Sequence, residues 1–135
     1  MHVAPTAEQF AALSNLAPDR AAKPIVMLNL LRFLDKALPG YGCDDMTGEE
    51  AYREYGRRLN ALGPDIFTAD PFWMGEGGPT IIGPSNETWH EMILVRYTSV
   101  DAFVTMVTNP EYLKAAEART AAIADSRLVL LHEAG

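Results

Sequence analysis

Residues 24–33 read PIVMLNLLRF, a stretch apolar at its odd and even positions alike. Side chains alternate along a strand, so Val26, Leu28 and Leu30 would share one face and Met27, Leu31 and Phe33 the other. A strand with two apolar faces must be covered twice. Pro24 at its start and Pro39-Gly40 beyond it favour a strand over a buried helix. Asn29 interrupts the run. An amide left unpaired in a dry interior costs about 1–3 kcal/mol, so it needs a partner. Two readings stay open: a structural bond to a neighbouring helix or turn, or an amide facing a ligand cavity between sheet and helices.

The rest of the chain supplies covers for that strand. Thr6 and Gln9 form a capping box, and Phe10, Leu13 and Leu16 follow at three-residue steps, predicting a helix over about 7–17. Thr47 and Glu50 open a second helix, with Tyr52, Tyr55, Leu59 and Leu62 on one face and Gly63-Pro64 as its stop. Residues 65–85 are broken by Pro and Gly and read as two short strand pieces, about 72–75 and 80–82. The segment TWHEMILVRY, 88–97, is rich in aromatic and branched residues and reads as a strand. Ser99 caps a helix carrying Val100, Phe103, Val104 and Val107. Asn109-Pro110 starts another, with Leu113, Ala116, Thr120 and Ile123 inward. RLVLLH, 127–132, closes as a strand.

The order is strand, helix, strand, strand, helix pair, strand. It predicts an α+β, ferredoxin-like βαββαβ fold with an extra N-terminal helix, in which helices cover one face of an antiparallel sheet. The chain of 135 residues is expected to be one domain, with helix and linker over 1–22 and the core over 24–133. The second face of the first strand then calls for a second copy of the chain, a homodimer.

Composition narrows the partners. A formal net charge of −7 repels phosphate backbones and anionic membranes, so nucleic acid is not expected as a partner. No stretch approaches the ~18 apolar residues of a membrane span, and MHVAPTAEQF carries no apolar signal-peptide run. A single cysteine, Cys43, excludes an internal disulfide framework and suits a cytoplasmic location.

The stretches PIVMLNLLRF, EEAYREYG, TIIGP, VRYTSVDAFVTMVTNPEY and ARTAAIADSRL, in that order over about 10–131, resemble the bacterial domain-of-unknown-function family numbered 1330, of the dimeric α+β barrel superfamily. The resemblance implies the fold and the dimer; the family's activity is undefined. Departures are Thr98 in place of a usual proline, His90 where an acid commonly follows the tryptophan, and an expanded 64–79 region. By superfamily analogy, an asparagine on the first strand serves some cofactor-independent and haem-degrading monooxygenases.

Each candidate site residue has a bland reading beside the functional one. Arg32 lies three positions from Asn29, so a regular strand points it to the opposite face; it reads as a surface or dimer ion pair or as an anion clamp. Arg119 on the last helix has the same alternatives, and a carboxylate substrate would need one of the two. Tyr55, Trp73 and Trp89 are core aromatics or pocket walls. His90 and His132 are the internal histidines, and His90 could move a proton. In strict alternation His90 shares a face with Met92, Leu94 and Arg96, and Trp89 with Glu91 and Ile93. Cys43-Asp44-Asp45 lacks a histidine nearby for metal ligation, and GEGGP at 75–79 lacks the helix a phosphate cradle needs. No metal, haem, flavin or other cofactor is expected. The reading is a cofactor-independent enzyme handling a small aromatic or carbonyl compound, with Asn29 orienting a carbonyl and His90 moving a proton. The alternative is a non-catalytic homodimer that binds a small metabolite.

Overall fold

The computed structural model describes residues 1–134. Strands β1 (Ile25–Phe33), β2 (Asp70–Glu76), β3 (Glu91–Tyr97) and β4 (Ile123–Leu131) form an antiparallel sheet in the order β2-β3-β1-β4. Helix α3 (Gly48–Leu62) joins β1 to β2, and α4 (Val100–Thr108), α5 (Pro110–Ala115) and α6 (Glu117–Ala122) join β3 to β4. This is the ferredoxin-like arrangement expected from the order of elements.

The capping boxes at Thr6 and Thr47 form, and Ser99 and Asn109 cap α4 and α5. The N-terminal helix is shorter than its periodicity suggests. It comprises α1 (Ala7–Ala11), a 3-10 turn over Ala12–Asn15, and a separate α2 (Pro18–Ala21) opened by Pro18. Phe10, Leu13 and Leu16 nonetheless pack on the core.

Odd positions of β1 face the helices. Ile25, Met27, Leu31 and Phe33 are buried there with Tyr52, Tyr55, Phe103, Met106 and Ile93. Even positions face the other way, together with Met92 and Leu94 of β3 and Val129 and Leu131 of β4, and among the described residues no helix covers them. Phe72 and Trp73, at 42% and 53% exposure, extend this open apolar face to the edge strand.

Four expectations fail locally. Residues 80–82 form no strand: Ile81 and Ile82 are 86% and 96% exposed on a loop between glycine-proline breaks, with no strand alongside. The helix face after Asn109 is out of phase, because the chain breaks at Ala116; Tyr112, Ala115 and Ala118 point inward and Leu113 is exposed. Strand β4 starts four residues early, at Ile123, directly from α6. Strand β3 starts at Glu91 rather than Thr88.

Where β1 ends, three backbones meet. Leu34 N–H donates to Ala122 O at 2.9 Å, and Gly48 N–H donates to Leu34 O at 3.0 Å. A Cβ on Gly48 would lie 2.1 Å from Leu34 O and 2.8 Å from Ala122 O. No flexible side chain can yield there, since the obstacles are backbone. Gly48→Ala is therefore expected to destabilise the fold by about 3 kcal/mol, measured by urea denaturation; an unchanged midpoint would show that α3 can slide away from β1.

Candidate functional site

The same end of the sheet holds a cavity of about 450 Å³, lined by Phe33 at the end of β1 with Leu34 and Asp35 beyond it, by the α3 cap Thr47 with Glu49 and Arg53 of α3 itself, and by Glu76, Gly77, His90 and Glu91. His90 N–H donates at 2.8 Å to O of Leu31, the residue that pairs with Glu91. Two successive residues therefore stand opposite one, as at a bulge, and strict alternation stops. That is why the expected faces of His90 and Trp89 are exchanged. His90 stacks on Phe33, with centroids 5.7 Å apart, and enters the cavity on the helix side. Trp89 instead lies on the open-face side, under the guanidiniums of Arg32 and Arg127 at 5.8 and 5.1 Å.

The imidazole of His90 has a fixed job. Phe33 N–H donates to its Nδ1 at 2.9 Å, so the ring occupies the place of a strand carbonyl. A nitrogen that accepts cannot carry a proton, which puts the proton of the neutral ring on Nε2. Among the described residues nothing is bonded to Nε2, and His90 is exposed at the cavity. The result is one oriented, unspent N–H donor.

Beside it, Glu91 is buried and held by Arg53 through both guanidinium nitrogens, Nη2 to Oε1 and Nη1 to Oε2, the latter at 3.3 Å. Donating to the Glu91 carboxylate keeps the Arg53 guanidinium more firmly protonated than usual. Glu49 stands 3.8 Å from the same guanidinium. The mouth of the cavity is tight at Gly77, whose N–H donates to His90 O at 2.9 Å and whose Cβ, if present, would fall 1.6 Å from Trp89 O.

The other residues singled out from sequence lie elsewhere. Asn29 faces the helix side, and its Nδ2 donates to Met27 O at 3.3 Å and Ile93 O at 3.5 Å. It lines neither this cavity nor a second one of about 550 Å³ between the 40–42 loop, α3 and α5. Arg32 is on the opposite face of β1, paired with Asp125 at 3.2 Å. Arg119 donates to Val3 O at 2.6 Å and to Ser126 Oγ at 3.4 Å, fastening the N-terminal segment to β4. Tyr55 is buried, its hydroxyl 2.7 Å from that of Tyr112, and burial pushes it well above the ordinary phenol range. Burial likewise raises Tyr52 to about 12. These hydroxyls stay protonated at neutral pH. Trp73 lies over Gly75 on the open face, where its ring leaves no room for a Cβ. His132 meets Arg20 O at 3.0 Å. Thus only His90 of the sequence-chosen residues reaches the first cavity; Arg53 and Glu91 were missed. Glu91 carried a signal, an acid on the inward face of an otherwise apolar strand.

No protein-family model matches the chain, nor does any curated protein. Among solved structures, a protein of unknown function from Rhodopseudomonas palustris is 36% identical, with a TM-score of 0.85 over 99% of this chain and 98% of that one. The chain belongs to the family of that protein. Its methylated form superposes with a TM-score of 0.86 at the same 36% identity, over 99% of this chain and 96% of that one. A dimeric protein of unknown function and ferredoxin-like fold from Bacteroides fragilis shares the fold at 14% identity, with a TM-score of 0.53 over 82% of this chain and 96% of that one. Family membership brings no activity with it, so the chemistry has to be read from the site.

One titration is decided by the geometry. Burial of Asp125 pushes its carboxyl up, but the N–H groups of His2 and Ser126 and the Arg127 guanidinium outweigh it and hold the group at about 2, against an ordinary 3.8. A carboxyl lowered on folding stabilises above its unfolded value and loses that stabilisation as pH falls toward the folded one. Between about pH 4 and pH 2 the protein should lose about 1 kcal/mol more than its Asp125→Asn variant, the full linkage value being reduced by solvent screening. Parallel pH–stability curves for the two proteins would contradict this.

Proposed function

We propose that the chain is a homodimeric small-molecule protein of the dimeric α+β barrel kind, akin to the family numbered 1330, and that the cavity at His90 receives a small carbonyl compound. The observation that carries the reading is the Phe33 N–H bond to His90 Nδ1, which leaves Nε2–H aimed out of the protein's own network. A neutral imidazole with a fixed donor can polarise a carbonyl and steady negative charge that builds on its oxygen. Phe33 supplies an aromatic wall and the Arg53–Glu91 pair a rigid polar one. Asn29 does not serve as this donor, because its amide is spent on two sheet carbonyls. A cofactor-independent enzyme and a metabolite-binding protein would both use this donor. The enzyme reading is favoured by its position beside Asp35 and Glu76, carboxylates with no ion-pair partner among the described residues that could exchange protons with a bound molecule.

The dimer is supported by the open sheet face. Val26, Leu28, Leu30, Met92, Leu94, Val129 and Leu131 form a contiguous apolar surface of the kind that marks association. A second copy covers it by twofold pairing of the same patch. Among the described residues no helix is long and apolar enough to cross a membrane. A cytoplasmic setting suits the buried free thiol of Cys43.

Two measurements check this reading. Light scattering at micromolar concentration should return about twice the 14.8 kDa chain mass; the chain mass itself would contradict the dimer. His90→Asn keeps an acceptor for Phe33 N–H, since Asn Oδ1 stands where Nδ1 stood, but removes the Nε2–H donor. The variant should remain folded and bind benzamide at least about tenfold more weakly, the worth of one lost hydrogen bond. Equal binding by wild type and variant would remove His90 from the site.

A further inference from the structure

We propose that the His90 cavity selects a ligand bearing a cationic nitrogen as well as a carbonyl, and rejects carboxylates; the inference rests on the cavity being a ligand site, as argued above. Four carboxylates line the space, those of Asp35, Glu49, Glu76 and Glu91, against one guanidinium, Arg53. That guanidinium is not free. Glu91 occupies both of its terminal nitrogens, and Glu49 competes for one of them. An incoming anion would have to break a pair whose carboxylate is buried, which strands a charge in the protein.

The carboxylates of Asp35 and Glu76 have no cationic partner among the described residues. They stand on two different segments, one after β1 and one at the end of β2, so they flank the space rather than share one turn. The arginines that could have served an anion are committed elsewhere: Arg32 to Asp125 on the far face, Arg119 to Val3 O and Ser126. His90 Nε2–H is left as the donor for a neutral acceptor such as an amide or ketone oxygen. A ligand complementary to all of this has a carbonyl oxygen for His90, a flat body for Phe33, and an ammonium or amidinium within reach of Asp35 and Glu76. The net charge of the chain, −7, draws the same kind of molecule toward the surface.

The test uses three benzamides matched in shape: 4-(aminomethyl)benzamide, 4-methylbenzamide and 4-carboxybenzamide. Each is titrated into the intact protein at low salt and followed by the backbone amide resonances of Phe33 and Gly77. Affinity should fall in that order, with the cation at least about tenfold tighter than the anion, as expected for two screened charges a few ångströms away. Added salt should narrow the gap. Asp35→Asn with Glu76→Gln should narrow the gap between cation and anion at least about threefold, since it removes the two carboxylates that no guanidinium answers. Equal affinities, or tighter binding of the carboxylate, with the Phe33 amide still responding, overturns the charge selection and leaves the cavity reading standing. If none of the three moves the Phe33 and Gly77 amides, the cavity reading is overturned, and the selection with it.

Discussion

Two backbone donors at the end of β1 govern the architecture of this protein. Phe33 and Leu34 leave the sheet at its centre, where their N–H groups would be costly to strand. One is taken by the His90 ring, the other by Ala122 O. Through the first bond, the loop that leads into β3 is tied to β1 by a side chain, beyond the point where the β1–β3 ladder ends. Through the second, the end of α6 is tied to the end of β1, and the start of α3 joins them by Gly48 N–H on Leu34 O, an approach to backbone contact that only glycine permits. The cavity opens beside the first of these ties, with Phe33, Leu34 and His90 in its lining. Its location therefore follows from how β1 is terminated.

The sheet divides the charges of the protein into two systems. On the helix side Glu91 and Arg53 form a pair at the cavity wall. On the open side Arg32 and Arg127 both reach Asp125 and both lie over Trp89, with Glu87 3.7 Å from Arg127. This second cluster rims the apolar face that a second copy would cover. Buried aromatic rings under guanidiniums give a rim that packs as well as pairs. The division explains how a strand with two apolar faces can carry Arg32 at its end, the alternation placing it away from the site.

The fold was legible wherever one local signal dominated. Thr6, Thr47, Ser99 and Asn109 cap as their neighbours require, and the two-faced pattern of 24–33 fixes β1 at the centre of the sheet. Three features escaped for definite reasons. Ile81 and Ile82 resemble strand residues, but pairing depends on a neighbour that the sequence does not display. The phase of α5 and α6 turns on a break at Ala116, a residue with no breaker chemistry. The site was read with its faces exchanged, because a bulge at His90 shifts alternation by one residue and nothing near Trp89-His90 announces it. Asn29 drew attention as the odd residue in an apolar run, yet its amide is answered by Met27 and Ile93 carbonyls on the sheet itself. Arg53, on a helix among other charged residues, gave no sign that its partner was buried across the cavity.

The state of the His90 ring is the most direct measure of this account. In a long-range proton–nitrogen spectrum of uniformly nitrogen-labelled protein, the neutral His90 ring should show an unprotonated Nδ1 and a protonated Nε2, with scalar coupling from Nδ1 to the Phe33 amide proton across their hydrogen bond. A neutral ring carrying its proton on Nδ1 would contradict it: the ring could not then accept from Phe33, and neither the termination of β1 nor the free donor in the cavity would be as described.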